Sequence, residues 1–343
     1  MKARRVYRAL PRRLRKATVL LVGCGDVGRR IGAGLAARGL RAIGTVRSAE
    51  NAAALRAIGI RPLRLDLDAR RLPGLRAFAD RLVHLAPPPG EGAGDPRTRR
   101  LLAALGRSAG RPSTATTRRA NSPAARGSAP WRAASERPPR WVYISTTGVY
   151  GDCAGDIVPE HRAVAPGNER SRRRVAAEQQ WRLAAARGRA RASRLRVPGI
   201  YAHDRLPIER LRQALPALLA EQDVYTSHIH ADDLARIAIA ALWRGRAGRV
   251  VHAVDDSRLR MGEYFDRVAD AAGLPRPPRL PAAELAQRVS PMMLSFMRES
   301  RRLRNERLKR ELRLRLRYPT VDHTLAEVFP NRLHYAAASP LPV

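Results

Sequence analysis

Cysteine is nearly missing from this chain: Cys24 and Cys153 are its only two in 343 residues. A disulfide framework is therefore excluded, and no Cys/His group has zinc-site spacing. A reducing compartment, the cytoplasm, is the expectation. Long apolar runs are missing too. No stretch approaches the roughly 18 apolar residues of a transmembrane helix, and no membrane partner is expected. Lysine occurs only at Lys2, Lys16 and Lys309, so arginine carries nearly all of a formal charge of +36. Aromatic residues are 5 % of the chain, which leaves few platforms for stacking single-stranded nucleic acid. No recognition helix, zinc finger or RNP pattern accompanies the arginines. Such a field attracts polyanions only non-specifically. The spread of the arginines reads as decoration of solvated surfaces, and no dedicated nucleic-acid partner is expected. Met1 to Ala17 is Arg-rich and acid-poor but has no apolar core of a secretory signal. It reads as a basic tail, with an organelle transit peptide as the alternative.

What is present is a core of ordinary size, 44 % hydrophobic, arranged as alternating strands and helices. Thr18 to Val22 reads as a buried parallel strand. A helix follows with Val27, Ile31 and Leu35 on one face, ended by Gly39. Further strands are predicted at Leu40–Val46, Ile60–Leu67, Arg81–Ala86, Trp141–Ser145, Ala192–Ile200, Ser227–His230 and Arg249–Val254. Helices are predicted at Ala52–Ile58, Asp95–Leu105, Arg173–Arg187, Pro207–Leu219, from Asp232, and at Met261–Ala272. The chain from Pro281 onward reads as mostly helical, with a very basic run from Arg301 to Arg317 that is either surface or interface. This order predicts an α/β fold, a doubly wound parallel sheet with right-handed crossovers and a small C-terminal lobe. Residues 107–140 lack Leu, Ile, Val and Phe and cannot bury enough apolar surface to offset the entropy of ordering. They read as a flexible, basic surface insertion. The expected division is a tail at 1–16, a core domain at 17–200, a lobe at 201–330 interleaved with the core, and a tail at 331–343.

Gly23-x-Gly25-x-x-Gly28 stands between the first strand and the first amphipathic helix, the context in which this pattern marks a dinucleotide-binding Rossmann unit. Gly23 permits the tight turn, Gly25 lets the backbone approach a pyrophosphate, and Gly28 lets helix and strand pack closely. Asp26 and Val27 complete the loop, whose helix end offers N–H donors to an anion. Cys24, inside it, reads as a small residue that fits. The second strand ends Thr45-Val46-Arg47-Ser48, without the acid that bonds the ribose 2′-hydroxyl of NAD. Arg47 can pair with a 2′-phosphate through its planar fork, and Ser48 can add a hydroxyl. NADP is therefore favoured over NAD; the alternative for Arg47 is one more surface arginine.

With these motifs in hand the chain resembles the NAD-dependent epimerase/dehydratase family, the extended and atypical short-chain dehydrogenases/reductases. The resemblance runs from about Ala17 to Val328, apart from the insertion. It rests on the glycine loop, Asp66, His84-Leu85-Ala86-Pro87, Tyr143-Ile144-Ser145-Thr146-Thr147-Gly148-Val149-Tyr150-Gly151, Arg196-Val197-Pro198-Gly199-Ile200-Tyr201 and His228-Ile229-His230-Ala231-Asp232-Asp233-Leu234-Ala235. It implies an NAD(P)-binding Rossmann fold. Asp66 would lie near the adenine, Ala86 and Pro87 would line the dinucleotide cleft, and Thr146 would take the place of the family's catalytic Ser/Thr.

The family's Tyr and Lys are absent. Counting back from Glu178, which matches the helix acid, puts Arg174 at the Lys position and Arg170, beside Ser171, at the Tyr position. No Tyr or Lys occurs between Gly151 and Tyr201. Arg174 could hold a ribose or a phosphate, but arginine stays charged and is a poor proton shuttle. Thr147 offers a second hydroxyl, and His161 is a proton carrier by ordinary pKa; a structural role is the alternative for each. Tyr150, Glu160, His228 and His230 are further groups of the same kind. The implied activity is that of an NAD(P)-dependent oxidoreductase or epimerase acting on a small polar molecule, such as a nucleotide sugar. The alternatives are a non-catalytic NADP-binding regulator or redox sensor and, behind it, a polyanion-binding protein. No metal is expected, and a homodimer is left open.

Overall fold

The computed structural model describes residues 17–78, 80–107 and 138–330, with the backbone alone at Met292. The basic tail 1–16, all but the ends of the insertion 107–140, and the tail 331–343 lie outside the described residues. The first part runs β1 (Thr18–Val22), α1 (Asp26–Ala36), β2 (Arg41–Val46), α2 (Ala49–Ala57), β3 (Arg61–Arg64), β4 (Arg81–His84), α3 (Pro96–Gly106) and β5 (Arg140–Thr146). Then come β6 (Ile157–Val158), α4 (Glu169–Ala186), β7 (Arg191–Val197), β8 (Gly199–Tyr201), α5 (Ile208–Arg212), β9 (Ala217–Leu218), β10 (His228–His230), α6 (Ala231–Arg244) and β11 (Val250–His252). The chain continues through α7 (Met261–Ala272), β12 (Arg279–Leu280), α8 (Ala282–Arg288), α9 (Pro291–Phe296), β13 (Arg302–Leu303), α10 (Glu306–Glu311) and α11 (Val321–Val328).

Seven strands form one sheet in the order β11-β7-β5-β4-β1-β2-β3, every pair parallel. Strand alternation divides β1 between two cores. Val19 and Leu21 face the layer containing Ile31, Leu35, Leu234 and Ile237 of α1 and α6. Leu20 and Val22 face Leu101, Leu105 and Trp181 of α3 and α4. Because β1 lies between β2 and β4, the strand order reverses there, and a crevice opens beyond the carboxyl ends of these strands. A third core, including Leu211, Phe265, Val268, Leu285 and Leu325, belongs to the C-terminal lobe. No helix among the described residues is long and apolar enough to cross a membrane.

Four expectations need correction. The strand predicted at Ala192–Ile200 breaks at Pro198, which cannot donate to a ladder. Its first part joins the main sheet as β7, and its second pairs in parallel with β10 as β8. The helix predicted at Pro207–Leu219 stops at Arg212, and Ala214 turns back at φ +47° before Pro216. Strand three ends at Arg64 on the edge of the sheet, leaving Asp66 and Asp68 in the following loop. The C-terminal part is short helices joined by loops and β13. Its basic run 301–317 is no mere surface, since Leu308, Leu312 and Leu314 are buried in the main core. Arg244 Nη1 on α6 binds that run by donating to the carbonyl oxygens of Leu312 (2.6 Å) and Arg313 (3.1 Å).

Candidate functional site

The glycine loop is held between β2 and β4. Gly23 adopts φ +82°, and its N–H donates to Thr45 Oγ1 at 2.8 Å. A Cβ there would stand 2.6 Å from the Ala86 nitrogen, so this position has neither the backbone freedom nor the space for a side chain. Gly28 lies over Cys24, whose Sγ would be 3.0 Å from a Cβ. Burial pushes the Cys24 thiol up to about 11, so it remains protonated and serves as packing. Gly25 differs from both, because nothing lies within 4 Å of where its Cβ would project. It is also the N-cap of α1 and supplies no side-chain cap, whereas Ser48, Asp95 and Asn168 cap α2, α3 and α4 with their side chains.

The open end of α1 faces a cavity of about 330 Å³ lined by Gly23, Gly25, Arg47, Asp66, Ala86 and Pro87, among others. Six of the eleven expected cofactor residues thus share one wall system built from β1, β2, β4 and the loop after β3. Arg29 and Arg97 line it too, without having been singled out from the sequence. Arg97 Nε donates to Asp68 Oδ1 at 2.7 Å and its Nη1 to the Pro87 carbonyl at 3.1 Å. This pairing holds the Asp68 carboxyl below the usual range. The other five expected residues stand elsewhere. The Asp26 carboxylate turns to Arg30 Nε (3.3 Å) and to Arg205 Nη1 (3.1 Å). Val27 packs against the core, and Gly28 lies behind the loop. The Ser48 oxygen accepts from Asn51 N at 3.2 Å and Nδ2 at 2.9 Å, capping α2. Arg174 sits on α4, away from these walls.

A second group of side chains gathers where β5 ends and α4 begins. Thr146 Oγ1 accepts from Gly148 N at 3.3 Å. A Cβ on Gly148 would lie 3.0 Å from Ser171 Oγ, 3.7 Å from Thr146 Oγ1 and 3.8 Å from Glu299 Oε2, so three polar groups surround that glycine. Thr147 is buried, and His161 is exposed on the loop before α4. Arg174 Nη1 donates to the Ile144 carbonyl at 3.0 Å and to Tyr143 Oη at 3.3 Å. It braces β5, and charge repulsion from Arg174 adds to the burial that pushes the His84 imidazole down to about 3. Arg170 lies over the Phe296 ring at 5.3 Å. Glu299 accepts from Asn168 Nδ2 at 3.2 Å and Arg301 Nη1 at 2.8 Å.

Behind this group Glu178 is buried and accepts from Ser145 Oγ (2.6 Å), Arg196 Nε (3.0 Å) and Arg196 Nη2 (2.8 Å). Tyr150 Oη meets His252 Nε2 at 2.6 Å under the Arg196 guanidinium. These groups hold β5, α4, β7 and β11 together and leave Tyr150 packed. His230 Nδ1 accepts from Asp232 N at 3.1 Å and caps α6. On this side of the site, sequence reasoning gave Ser171 no role beyond its place next to Arg170, and it missed Glu299. Asn168 followed three residues later by Ser171 is an N-cap spacing that would have put Ser171 in the first turn. Glu299 arrives from 131 residues beyond Asn168 and carried no local signal. Among the described residues no His/Cys/Asp/Glu group could hold a metal ion.

The parallel sheet, the glycine turn and the appended lobe together define the fold of the extended short-chain dehydrogenases and epimerases. No family model and no curated protein sequence matches the chain. Among solved structures it is similar to a functionally unknown conserved protein from Silicibacter pomeroyi, with 30 % identity over 91 % of this chain and 98 % of that one and a TM-score of 0.73. It shares its fold with UDP-glucuronic acid 4-epimerase from Bacillus cereus in complex with NAD, at 14 % identity over 92 % and 99 % of the two chains and a TM-score of 0.63. The human epimerase family protein SDR39U1 with NADPH is similar at 19 % identity, 92 % and 99 % coverage and a TM-score of 0.61. The chain belongs to the same family as the Silicibacter pomeroyi protein, within the epimerase/dehydratase fold.

Proposed function

We propose that the protein binds NADP(H) in the cleft at the glycine loop and acts as an oxidoreductase or epimerase on a small polar substrate of the nucleotide-sugar class. The observation that carries this is the bare, open end of α1 at Gly25 facing a 330 Å³ cavity. A Cβ at Gly25 would enter that space, and the first N–H groups of the helix point there with the positive end of its dipole. The residues present therefore fit a dinucleotide pyrophosphate. Arg47 at the end of β2, with no acid beside it in sequence until Glu50, favours the 2′-phosphate form. That similar folds hold NAD in one protein and NADPH in another supports a nicotinamide cofactor of either kind.

When bound, the nicotinamide supplies or accepts a hydride. The residues at the end of β5 would hold the substrate. Thr146 Oγ1 and Ser171 Oγ, both beside Gly148, would bond the reacting oxygen and keep it oriented. Arg170 and Arg174 would add positive charge near that oxygen and stabilise it while it carries negative charge. Neither arginine moves a proton, so the proton of the reacting oxygen would be exchanged with solvent water.

Titration of the purified protein with NADPH and NADH, followed by nucleotide fluorescence, tests the reading. NADPH is expected to bind more tightly than NADH, and Arg47→Ala to remove most of the difference. Binding of neither nucleotide sinks it. A second reading, a non-catalytic NADP-binding regulator, is favoured by the bracing of Arg174 against β5 and by the absence of the Tyr/Lys pair. Tight NADPH binding with no turnover across a panel of nucleotide sugars, ketones and alcohols would select it.

A further inference from the structure

A hydride transfer at the end of β5 leaves a proton to be moved, and most ionisable groups there are already spent. Tyr143 Oη accepts from Arg174, and burial pushes its phenol up to about 12. Tyr150 Oη meets His252 Nε2, and burial raises that phenol too. Glu178 is closed in by Ser145 and Arg196. Arg170 and Arg174 stay charged. Glu299 differs from all of these. Its Oε2 lies 3.8 Å from where a Cβ on Gly148 would project, in the same small space as Ser171 Oγ and Thr146 Oγ1. Oε1 accepts from Asn168 Nδ2 and Oε2 from Arg301 Nη1. A carboxylate offers about four acceptor positions, so these two bonds leave room for another. The side chain is 10 % exposed, so solvent water touches it.

The carboxylate is also fixed in place. Ser300 N donates to Asp152 Oδ1 at 2.8 Å, the Ser300 carbonyl accepts from Cys153 N and Gly155 N at 3.0 Å, and Arg301 Nη1 donates to the Gly151 carbonyl at 2.8 Å. These bonds stitch the segment that carries Glu299 to the loop after Tyr150. An acid–base group works only when it is held within hydrogen-bond reach of the reacting atom. Around Glu299 stand Asn168 and Ser171 at the start of α4, Arg170 of α4, which is attracted to its charge, Arg301 on its own segment, and Thr146 and Gly148 at the end of β5.

We propose that Glu299 is a catalytic residue, the carboxylate through which the proton of the substrate oxygen passes to and from solvent water. The inference rests on the oxidoreductase reading of the site and supplies its acid–base group. In the direction of oxidation, the carbinol C–H bond breaks and its electron pair leaves as hydride to an oxidised nicotinamide. The O–H bond breaks, its proton goes to the Glu299 carboxylate, and the C=O bond forms between the two atoms. Glu299 then gives the proton to water. Reduction runs the same steps backward, with protonated Glu299 donating to the oxygen.

The test uses the same panel of nucleotide sugars, ketones and alcohols with NADP+ or NADPH, in wild type, Glu299→Gln, Glu299→Asp and Glu299→Ala. NADPH affinity and the melting temperature are measured alongside. Glu299→Gln is expected to lower kcat about a hundred- to ten-thousandfold, the range of a lost acid–base group. KM and NADPH affinity should stay within about twofold of wild type. The acid limb of the oxidation pH profile should vanish in Glu299→Gln, Glu299→Asp should recover part of the rate, and added formate should restore turnover to Glu299→Ala. A kcat loss in Glu299→Gln below about tenfold, or an acid limb retained there, overturns the proposal. A loss that NADPH affinity shares and formate does not restore also overturns it, by making Glu299 a strut between α4 and its own segment. If wild type turns over no member of the panel, the oxidoreductase reading fails and this inference falls with it. If Glu299→Ala does not fold, Glu299→Gln and Glu299→Asp carry the comparison.

Discussion

The two halves of the crevice are built in opposite ways. On the glycine-loop side the functional surface is largely backbone: an uncapped helix end, a turn at φ +82°, and a cavity that Gly25 leaves open. On the β5 side it is side chains brought from distant segments, with Thr146, Ser171 and Glu299 around Gly148 and Phe296 against Arg170. The first side suits a group recognised by its phosphates, which every such cofactor carries. The second suits a substrate that differs from protein to protein. Arg170 and Arg174, which the family resemblance puts at the Tyr and Lys positions, both lie on the second side.

The largest expected effect lies beneath the β5 side. Glu178→Ala leaves the Arg196 guanidinium buried without its carboxylate, and breaking such a pair costs about 3–5 kcal/mol. Urea denaturation measures it; a loss under about 1 kcal/mol would mean that this network does not brace the site. Next come two glycines of the loop, which sharpen the contrast within the other side. Gly23→Ala puts a Cβ against the Ala86 backbone at a positive φ and should cost about 2–4 kcal/mol. Gly25→Ala has open space and should change stability by less than about 0.5 kcal/mol while weakening NADPH strongly. Equal behaviour of the two variants in melting and in binding would break the distinction between a structural and a ligand-facing glycine.

The smallest effect is a pH dependence with two opposed limbs. Burial pushes His84 and His252 down to about 3 and His228 down to about 4. These rings stay neutral when folded, and the unfolded chain binds protons more readily below about 6.5. Their contribution is complete above that pH and is lost progressively as pH falls toward 3 to 4. Asp255 is the reverse case, since burial raises its carboxyl from 3.8 to about 7. The folded form keeps a proton that the unfolded chain releases, so stability from this group falls as pH rises from about 4 to 7 and is level above. Asp255→Asn should therefore gain stability relative to wild type at pH 8 compared with pH 5. Parallel urea midpoints for the two proteins across that interval would refute the assignment.

The strands β1, β2, β4 and β5 were legible because parallel strands buried on both faces read as continuous apolar runs, such as Val19 to Val22. The glycine loop was legible because three glycines at fixed spacing have few other uses. Of the residues on the cavity wall, Arg47 followed from its place at the end of the second strand, and Asp66, Ala86 and Pro87 from the family resemblance. The direction of a side chain did not follow. Asp26 and Ser48 carry the right chemistry beside the loop, yet one serves an arginine cluster and the other caps a helix. The break of β7 from β8 hinged on a single proline, and the burial of Leu308, Leu312 and Leu314 was masked by the arginines between them.

The sequence by itself determined the succession of strands and helices in the first half of the chain and the backbone cradle of the glycine loop. Each of these follows from local periodicity and from the conformational freedom of glycine. Only the tertiary structure decided which of the many arginines are held in ion pairs and which line the cleft. It paired Arg97 with Asp68, Arg30 with three carboxylates and Arg196 with Glu178, and it left Arg29 and Arg47 facing the cleft. It also carried Glu299 to the end of β5. Such pairings depend on distance in space between segments far apart in the chain, and local periodicity carries no information about that distance.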